Sequence, residues 1–345
     1  MKSYYRPLAL VFGRDARLKI ASGHAGALGS SPHVGFTQVE MIERGATSRF
    51  VAFSEVAEEP TIGAITAQRP HFGGLTMERC RIMGIVNVTP DSFSDGGRLS
   101  NSAAAIALGR QLAEEGADIL DVGGESTRPG SDTVSIEDEI QRIEAVVAAL
   151  SADYIVSTDT RKAPVMQAAI NAGARIINDV SALGYELESA DVIAQSNAPV
   201  ILMHAQGEPK TMQLNPRYDD VLLDVYDALQ ASIAKAEAAG IARANICVDP
   251  GIGFGKTFKQ NLELMAGLSI FHGLGVPLLV GSSRKGFIGA VTGEKLAANR
   301  VHGSVGSALQ AAMQGAHILR VHDVKATVQA LKMFTASNDP DSADF

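Results

Sequence analysis

From about residue 80 onward, the sequence alternates regularly between short apolar runs and segments with helical periodicity. The runs are rich in Val and Ile and do not alternate with polar residues, which is typical of strands buried on both faces of a parallel sheet. They comprise IMGIVNV (82–88), DILDVGG (118–124), YIVSTDT (154–160), IINDVS (176–181), PVILMHA (199–205), ICVDPG (246–251), PLLVGSS (277–283) and HILRVHD (317–323).

The segments between these runs predict amphipathic helices. One spans 135–150, where Ser135 and Asp138 provide a helix start, and another spans 221–240 and ends at a glycine. A last helix is predicted at about 325–336. Eight strand-then-helix units in about 255 residues match the size and order of a closed α/β barrel, the (β/α)₈ TIM barrel. A doubly wound open sheet is the structural alternative, because periodicity alone does not distinguish the two folds.

The rest of the chain does not follow this pattern, so we predict a catalytic barrel at 79–336 with additions at both ends. Residues 1–78 are Gly-rich, contain a candidate strand at Phe50 to Phe53, and form an N-terminal extension. This extension is either a small appended unit or a cover for the N-terminal mouth of the barrel. Residues 337–345 are acidic, and we predict a disordered tail there.

Charge and cysteine content exclude several classes of protein. The formal net charge of -8 is spread along the chain, which argues against affinity for nucleic acid or anionic membranes. No run reaches the roughly 18 apolar residues that a membrane span needs, and the short apolar stretch at 7–13 is a poor signal peptide. We therefore expect a soluble, cytoplasmic protein. Cys80 and Cys247 are too few for a disulfide framework, and the apolar surroundings of Cys247 predict a buried, reduced thiol.

Polar residues stand at or just beyond the C-terminal end of every predicted strand, where TIM-barrel enzymes carry their active sites. They are Asn87, Asp121, Asp159, Asn178, His204, Asp249, Lys285, Arg320 and His322. A single Asn or Asp at such a position usually forms a turn, but convergence of the whole set on one rim favours a functional site. Carboxylates and carboxamides suit an N–H edge of a ligand, whereas the lysine, arginine and histidine side chains suit an anion.

The segment DPGIGFGKT (249–257) superficially resembles an ATP-binding phosphate loop. That motif requires a glycine where Pro250 stands, so we do not predict a nucleotide site. Its glycines most simply permit a tight turn, and Lys256 is interpreted as a solvated side chain. His204 fits a core or supporting histidine as well as a ligand. The motif HExxH and paired CxxC motifs are absent, and no dense cluster predicts a tightly held metal.

Two segments are more specific. MGIVNVTPDSFSDGG (83–97) leaves the first strand, and ILDVGGESTRPGS (119–131) leaves the second, each through a loop of Gly, Pro and Ser. Both resemble the characteristic loops of the dihydropteroate synthase family within the pterin-binding barrel superfamily. The resemblance covers about residues 80–335 and extends in family order through DTRKAPV (159–165), INDVSAL (177–183), MHAQGEPKTMQ (203–213), DPGIGFGKT (249–257), SSRKGFIG (282–289) and LRVHDV (319–324).

The resemblance implies that a dihydropterin diphosphate and p-aminobenzoate condense with loss of pyrophosphate. The implied pterin ligands are Asp159, Asn178, Asp249 and Lys285, and the implied diphosphate ligands are Asn87, Thr127, Arg320 and His322. The implied p-aminobenzoate subsite comprises Phe93, Arg128, Pro129, Phe254 and Gly286, the last standing where many members have Ser. Catalytic roles fall to Asp121, Arg128, Lys285 and Arg320. Mg²⁺ held partly by Asn87 and a homodimer are also implied.

Two other functions are compatible with a pterin-binding barrel. A folate-binding methyltransferase would share the pterin acceptors, but it would not need Arg320, His322 or the two loops at 83–97 and 119–131. A catalytically silent pterin-binding protein would be expected to lack some of the implied active-site residues. The full set is present in this chain, which favours the synthase.

Overall fold

The computed structural model describes residues 2–29, 31–88, 98–126, 133–207, 212 and 214–342. Within them, a small antiparallel sheet near the N-terminus precedes an eight-stranded parallel sheet. None of the described helices is both long and apolar enough to cross a membrane.

The N-terminal sheet is built around one long strand. Its elements are β1 (Ser3–Phe12), α1 (Gly13–Ala21), β2 (Gly26–Leu28), β3 (Ser31–Glu43), β4 (Arg49–Ala52), α2 (Phe53–Val56) and α3 (Pro60–Thr66). Strand β3 pairs antiparallel with β1 and also with β2 and β4. The candidate strand at 50–53 is confirmed as β4, shifted by one residue, whereas the other three strands were not predicted. This unit has its own apolar core, which comprises Tyr5, Leu28, Val34, Phe36, Val39, Val56, Ile62 and Ile65.

The parallel strands coincide with the eight predicted apolar runs, although every strand after the first is shorter than its run, and the first begins one residue earlier than its run. They are β5 (Arg81–Asn87), β6 (Ile119–Gly123), β7 (Val156–Asp159), β8 (Ile176–Asp179), β9 (Val200–Met203), β10 (Ile246–Asp249), β11 (Leu279–Val280) and β12 (Ile318–Val321). The helices are α4 (Arg98–Glu114), α5 (Ile136–Ser151), α6 (Ala163–Asn171), α7 (Ser189–Ser196), α8 (Val221–Ala238), α9 (Phe258–Ala266), α10 (Gly286–Thr292), α11 (Val301–Met313) and α12 (Val324–Asn338). Short 3₁₀ helices lie at Arg243–Asn245, Leu268–Leu274, Ala297–Asn299 and Pro340–Ser342.

The pairing of these strands decides between the two predicted folds. Strands β5 to β10 pair in sequence order, and β12 pairs in parallel with both β5 and β11. A parallel bridge from Val248 to Leu278 joins the two remaining edges. A doubly wound sheet would keep two free edges, so the (β/α)₈ barrel is confirmed. The predicted helix start is also confirmed, because Ser135 Oγ accepts a hydrogen bond from the backbone N–H of Asp138 at 3.1 Å.

Side chains at alternate strand positions point into the barrel and form layers. The lowest layer is apolar and includes the side chains of Met83, Ile119, Ile176, Ile201, Cys247, Leu279 and Ile318. Phe72 and Met77 pack against this layer and close the N-terminal end of the barrel. Both lie within the predicted extension 1–78, so the extension contains an appended sheet and a cover for the mouth. Cys247 is buried and free, as predicted.

The appended sheet is attached to the barrel by polar contacts at several points. Tyr4 Oη donates to Asp227 of α8 at 2.8 Å, and Ser269 Oγ donates to the carbonyl of Pro7 at 2.8 Å. Asp339, in the region predicted to be a disordered tail, is instead fully buried and pairs with Arg17 of α1. Helix α12 extends to Asn338, which lies beyond the predicted start of the tail at residue 337. The ion pair between Asp339 and Arg17 fixes the end of this helix against the N-terminal unit.

Candidate active site

The layer above the apolar floor of the barrel is polar. Asp121, Asn178, Asp249 and Arg320 each lie two residues beyond an apolar floor residue of the same strand. Because strand side chains alternate, this spacing turns all four toward the barrel axis. The parallel strands therefore bring together residues that are separated by as many as 199 positions in the sequence.

Arg320 occupies the centre of this layer between two carboxylates. Its Nε donates to Asp121 Oδ2 at 2.6 Å, and its Nη2 donates to Asp159 Oδ2 at 2.7 Å. Burial would lower the pKa of Arg320, but the two carboxylates outweigh it and raise that pKa above its ordinary value. The guanidinium is thus permanently charged and held in one orientation before any ligand arrives.

Asp121 is fully buried beneath Arg320 and Asn178. Its Oδ2 also accepts a hydrogen bond from Asn178 Nδ2 at 3.1 Å. A carboxylate can only accept, so this contact turns the carbonyl end of the Asn178 amide away from Asp121. Asp121 thus orients both the Asn178 amide and the Arg320 guanidinium, and the catalytic role that the sequence implies for it stays a prediction.

Asp159 lies one layer higher and is nearly buried. Its Oδ1 atom has no hydrogen-bond partner in the described part of the chain. Burial raises the pKa of the Asp159 carboxyl, and the Arg320 guanidinium opposes that shift. A buried acceptor of this kind is costly unless it is satisfied, so Asp159 Oδ1 is well suited to receive a donor from a ligand.

Asp249 and Lys285 lie across the mouth of the barrel from Asp121 and Asp159, and these side chains together line the candidate ligand pocket. Asp249 Oδ1 accepts from the backbone N–H of Gly251 at 2.7 Å, and Lys285 Nζ donates to the carbonyl of Ile252. The Lys285 ammonium also stands 4.5 Å from the centre of the Phe254 ring. Burial lowers the pKa of Lys285 to about 8 and raises that of Asp249, and the two side chains oppose each other's shift.

The end of β12 and the segment after β11 are joined by two contacts that the sequence analysis did not anticipate. Ser283 Oγ lies 3.0 Å from His322 Nδ1 and also accepts from the backbone N–H of His322 at 3.2 Å. Arg284 adopts a left-handed backbone with φ +59° and pairs with Asp323 through two nitrogens. Ser283 and Arg284 both belong to the SSRK motif of the sequence, in which a role was predicted only for Lys285.

Comparison with known proteins matches this geometry to one family. The family model described as "Pterin binding enzyme" matches residues 83–322. A dihydropteroate synthase of Neisseria meningitidis serogroup B is 50% identical over 266 residues, covering 75% of this chain and 93% of the relative. That of Escherichia coli strain K12 is 46% identical over 265 residues, covering 76% and 93%.

Solved structures agree. Xanthomonas albilineans dihydropteroate synthase with 4-aminobenzoic acid superposes with a TM-score of 0.74 at 48% identity, covering 81% of this chain and all of that one. The same enzyme in complex with 7,8-dihydropteroate gives a TM-score of 0.70 at 46% identity, covering 78% and 97%. The chain belongs to the dihydropteroate synthase family.

As a member of the dihydropteroate synthase family, the chain is a transferase of folate biosynthesis. Identity at half of the aligned positions decides against the folate-binding methyltransferase considered above. The family match begins at residue 83, beyond the N-terminal extension, and it contains every predicted site residue.

The structure places the remaining predicted residues of the dihydropteroate synthase site as follows. Asn87 ends β5, which pairs directly with β12, the strand that contains Arg320 and ends one residue before His322. Gly286 is exposed at the first position of α10, and a Cβ there would meet the Phe258 ring at an ordinary 3.4 Å. The local fold therefore leaves room for the serine that many family members have. Four predicted residues lie outside the described residues, namely Phe93, Thr127, Arg128 and Pro129.

Proposed function

We propose that the enzyme condenses 6-hydroxymethyl-7,8-dihydropterin diphosphate with p-aminobenzoate to give 7,8-dihydropteroate and pyrophosphate. The observation that carries this proposal is the guanidinium of Arg320, held between Asp121 and Asp159 and surrounded by further buried polar groups. Solved relatives in complex with 4-aminobenzoic acid and with 7,8-dihydropteroate support this substrate and this product. Such an enzyme acts in the cytoplasm.

The buried polar groups suit the edge of a dihydropterin. Its 2-aminopyrimidinone edge presents N–H donors, for which Asp249 and the oriented Asn178 amide supply acceptors. Lys285 supplies a donor for a ring oxygen or nitrogen, and Asp159 offers its unpaired oxygen. A ligand that lacked these groups would leave the acceptors buried and unpaired, so the pocket selects for the pterin edge.

The chemical step breaks the C–O bond between the pterin methylene carbon and the diphosphate. The amine nitrogen of p-aminobenzoate forms the new C–N bond with its lone pair and loses a proton, and the electron pair of the C–O bond leaves with pyrophosphate. Negative charge grows on the leaving oxygen, so a cation placed there in advance lowers the barrier. Arg320 and His322 supply that cationic end of the site, while the Asp159 carboxylate lies against the pterin that becomes positively charged.

Asn87 is the protein ligand that we assign to Mg²⁺. It ends β5 beside β12, which contains Arg320 and is followed directly by His322, and it offers a single amide oxygen. Mg²⁺ prefers oxygen and is often bound through substrate phosphates with few protein ligands, so this sparse donor set fits. The described residues contain no cluster of three or more His, Cys, Asp or Glu side chains that could hold a metal alone. When bound, Mg²⁺ neutralises charge on the diphosphate oxygens.

The p-aminobenzoate subsite is assigned to Phe254 and Gly286 together with Phe93, Arg128 and Pro129, and Thr127 is assigned to the diphosphate. Phe254 lies over the Lys285 ammonium, at the boundary between the two substrates. We also propose a homodimer formed through barrel helices. Three apolar side chains on or near α9 and α10 are exposed and would be covered in such a dimer, namely Leu262, Val291 and Leu296.

The proposed function is tested by measuring pyrophosphate release from the pterin diphosphate with Mg²⁺, with and without p-aminobenzoate. We expect release that depends on p-aminobenzoate and yields stoichiometric dihydropteroate. A protein that binds the pterin diphosphate but releases no pyrophosphate would be the catalytically silent alternative.

Asp249→Asn is expected to weaken binding of the pterin diphosphate by about 1.5–3 kcal/mol, the range for hydrogen bonds to a charged group. The substitution replaces a buried charged acceptor with an amide that presents only one acceptor atom. Calorimetric titration with the pterin diphosphate and Mg²⁺ measures the change. Asp191→Asn, at an exposed position of α7, is the matched control and should bind like the wild type. Unchanged affinity in Asp249→Asn would remove Asp249 from the pterin site.

A further inference from the structure

Lys256 is among the largest fully buried side chains of the described structure, with 1% of its surface exposed. The prediction that the Lys256 side chain is solvated is therefore wrong. Lysine is rarely buried without a carboxylate partner, yet Lys256 takes part in none of the ion pairs found in the described residues. A side chain buried at this cost needs another set of partners.

Those partners are backbone carbonyls. Lys256 Nζ donates to the carbonyl of Gly251 at 2.9 Å, to that of Phe254 at 3.0 Å and to that of His204 at 3.3 Å. It also lies 3.0 Å from His204 Nδ1. Burial lowers the pKa of His204 to about 3, so its imidazole is neutral and Nδ1 can accept from the ammonium. The ammonium thus holds together two loops, one after β9 and one after β10.

The two loops approach each other too closely for side chains. A Cβ at Gly251 would lie 1.9 Å from the carbonyl oxygen of His204, and one at Gly255 would lie 2.2 Å from that of Gln206. Both glycines have a positive φ, +68° and +64°, which other residues rarely adopt. The chain is therefore wound around the ammonium, with carbonyl oxygens directed inward.

The same loop forms one wall of the pocket. Its Gly251 N–H binds Asp249, its Ile252 carbonyl accepts from Lys285, and the Phe254 ring covers the Lys285 ammonium. Any movement of the carbonyls around Lys256 would displace these contacts as well. Displacement of positioned groups by about 1 Å is enough to cost an enzyme on the order of 100-fold in rate.

Lys256 also acts on Asp249 through its charge. Burial raises the pKa of Asp249, and Lys285, the Gly251 N–H, Lys256 and Arg320 oppose that rise in this order. Burial lowers the pKa of Lys256 itself to about 7, and Asp249 opposes the shift. The three carbonyl acceptors further favour the charged form of Lys256. Removing this charge would therefore make Asp249 easier to protonate.

We propose that Lys256 is a positioning residue for the pterin site, whose buried ammonium organises the loop after β10 through the surrounding carbonyls. This role rests on the proposed synthase function and deepens it. Lys256 is enclosed by protein and not exposed to the pocket, so its effect reaches the pterin through Asp249, Phe254 and Lys285.

The test compares Lys256→Met with Lys259→Met, whose lysine lies three residues further on, is highly exposed and pairs with Glu263 at 3.5 Å. Affinity for the dihydropterin diphosphate with Mg²⁺ is measured by calorimetry from pH 5 to pH 9, together with thermal unfolding. We expect Lys256→Met to bind at least about 10-fold more weakly at neutral pH. As the pH is lowered, this variant should also lose its affinity at a higher pH than the wild type does, because the pKa of Asp249 rises when the Lys256 charge is removed. Lys259→Met should match the wild type in both respects.

Lys256→Gln provides a second variant that keeps two donors without the charge, in case Lys256→Met does not fold. One result would overturn the positioning role: a folded variant that is less heat-stable but binds the pterin diphosphate with wild-type affinity and wild-type pH dependence below pH 7. Lys256 would then be only structural. Wild-type protein that binds no pterin diphosphate would instead contradict the proposed function, and the positioning role with it.

Discussion

Arg320→Ala is expected to lower kcat by about 10²–10³-fold, the loss typical of removing a preorganised donor to a developing negative charge. Charge on the bridging oxygen grows only as the C–O bond breaks, so the interaction with Arg320 strengthens in the transition state. An interaction of that kind lowers the barrier, whereas one that is equally strong beforehand changes only KM. Steady-state kinetics with varied pterin diphosphate separate the two parameters.

The structure adds a second consequence to this substitution. Arg320 is a partner of both Asp121 and Asp159, so its removal leaves two buried carboxylates without their cation. Arg320→Lys keeps the charge but cannot reproduce the two-nitrogen contact, and we expect its kcat to fall between wild type and Arg320→Ala. His322→Ala should cost less than Arg320→Ala, because the imidazole does not carry a permanent charge.

Arg243→Ala is a suitable control, since Arg243 is partly exposed and pairs with Glu237 away from the site. Thermal unfolding of each variant establishes that it is folded before its kinetics are compared. An Arg320→Ala protein that is folded, has wild-type kcat and shows only a raised KM would assign Arg320 to uniform binding, and the proposed mechanism would have to be redrawn.

Acidification is expected to destabilise the protein strongly through two buried histidines beneath the barrel. His272 and His317 lie edge to face, 5.3 Å between ring centres, where the N-terminal sheet meets the barrel. His317 Nε2 donates to the carbonyl of Gly29 at 2.7 Å, and its Nδ1 accepts from the backbone N–H of Leu278 at 3.0 Å. Both ring nitrogens are therefore satisfied only while the imidazole is neutral.

Burial, together with the nearby Arg69 guanidinium, lowers the pKa of His317 to about 3, whereas the ordinary value in an unfolded chain is about 6.5. Burial also lowers the pKa of His272 well below its ordinary value. Below pH 6.5 these histidines bind protons in the unfolded chain but not in the folded protein. The free energy of unfolding is therefore at its full value above about pH 6.5 and falls as the pH decreases toward 3. At pH 4, His317 alone should cost about 3 kcal/mol, and His272 acts in the same direction.

Urea unfolding between pH 4 and pH 8 measures this dependence. His317→Gln removes the titrating imidazole, and we expect a less stable protein at pH 7 whose stability falls less steeply with acid. His24→Gln, at an exposed position on the N-terminal unit, is the control and should retain the wild-type slope. A slope in His317→Gln equal to that of the wild type would show that the buried pair does not control acid stability.

The barrel and the position of its active site were predictable from the sequence. A buried parallel strand needs apolar side chains on both faces, so each strand is recognisable locally as a short apolar run. The chain has eight such runs of similar length, each followed by a helical segment. The end of each run then identifies the polar rim, since all parallel strands finish at the same mouth. Asn178, Asp249, Lys285 and Arg320 were predicted in this way, and the structure places them together.

The N-terminal strands were less predictable. Strands β1 and β3 form half-exposed antiparallel ribbons in which buried residues are interrupted by partly exposed ones. Such strands are stabilised by pairing with each other along their length, and the pairing of Ser3 with Glu43 is a long-range property that no local pattern encodes. Likewise, nothing in the acidic C-terminal segment predicts that Asp339 is buried, because its partner Arg17 belongs to α1.

Within the site, the sequence determined which chemical groups stand at the mouth of the barrel, because side-chain alternation and strand direction are local properties of the chain. Only the tertiary structure decided how those groups are paired. The register between strands placed Asp121 beneath both Asn178 and Arg320, and the close approach of two loops buried Lys256 among carbonyls. Hydrogen bonds and desolvation depend on distances between residues far apart in sequence, so the charge states and orientations of these groups became defined only when the barrel closed.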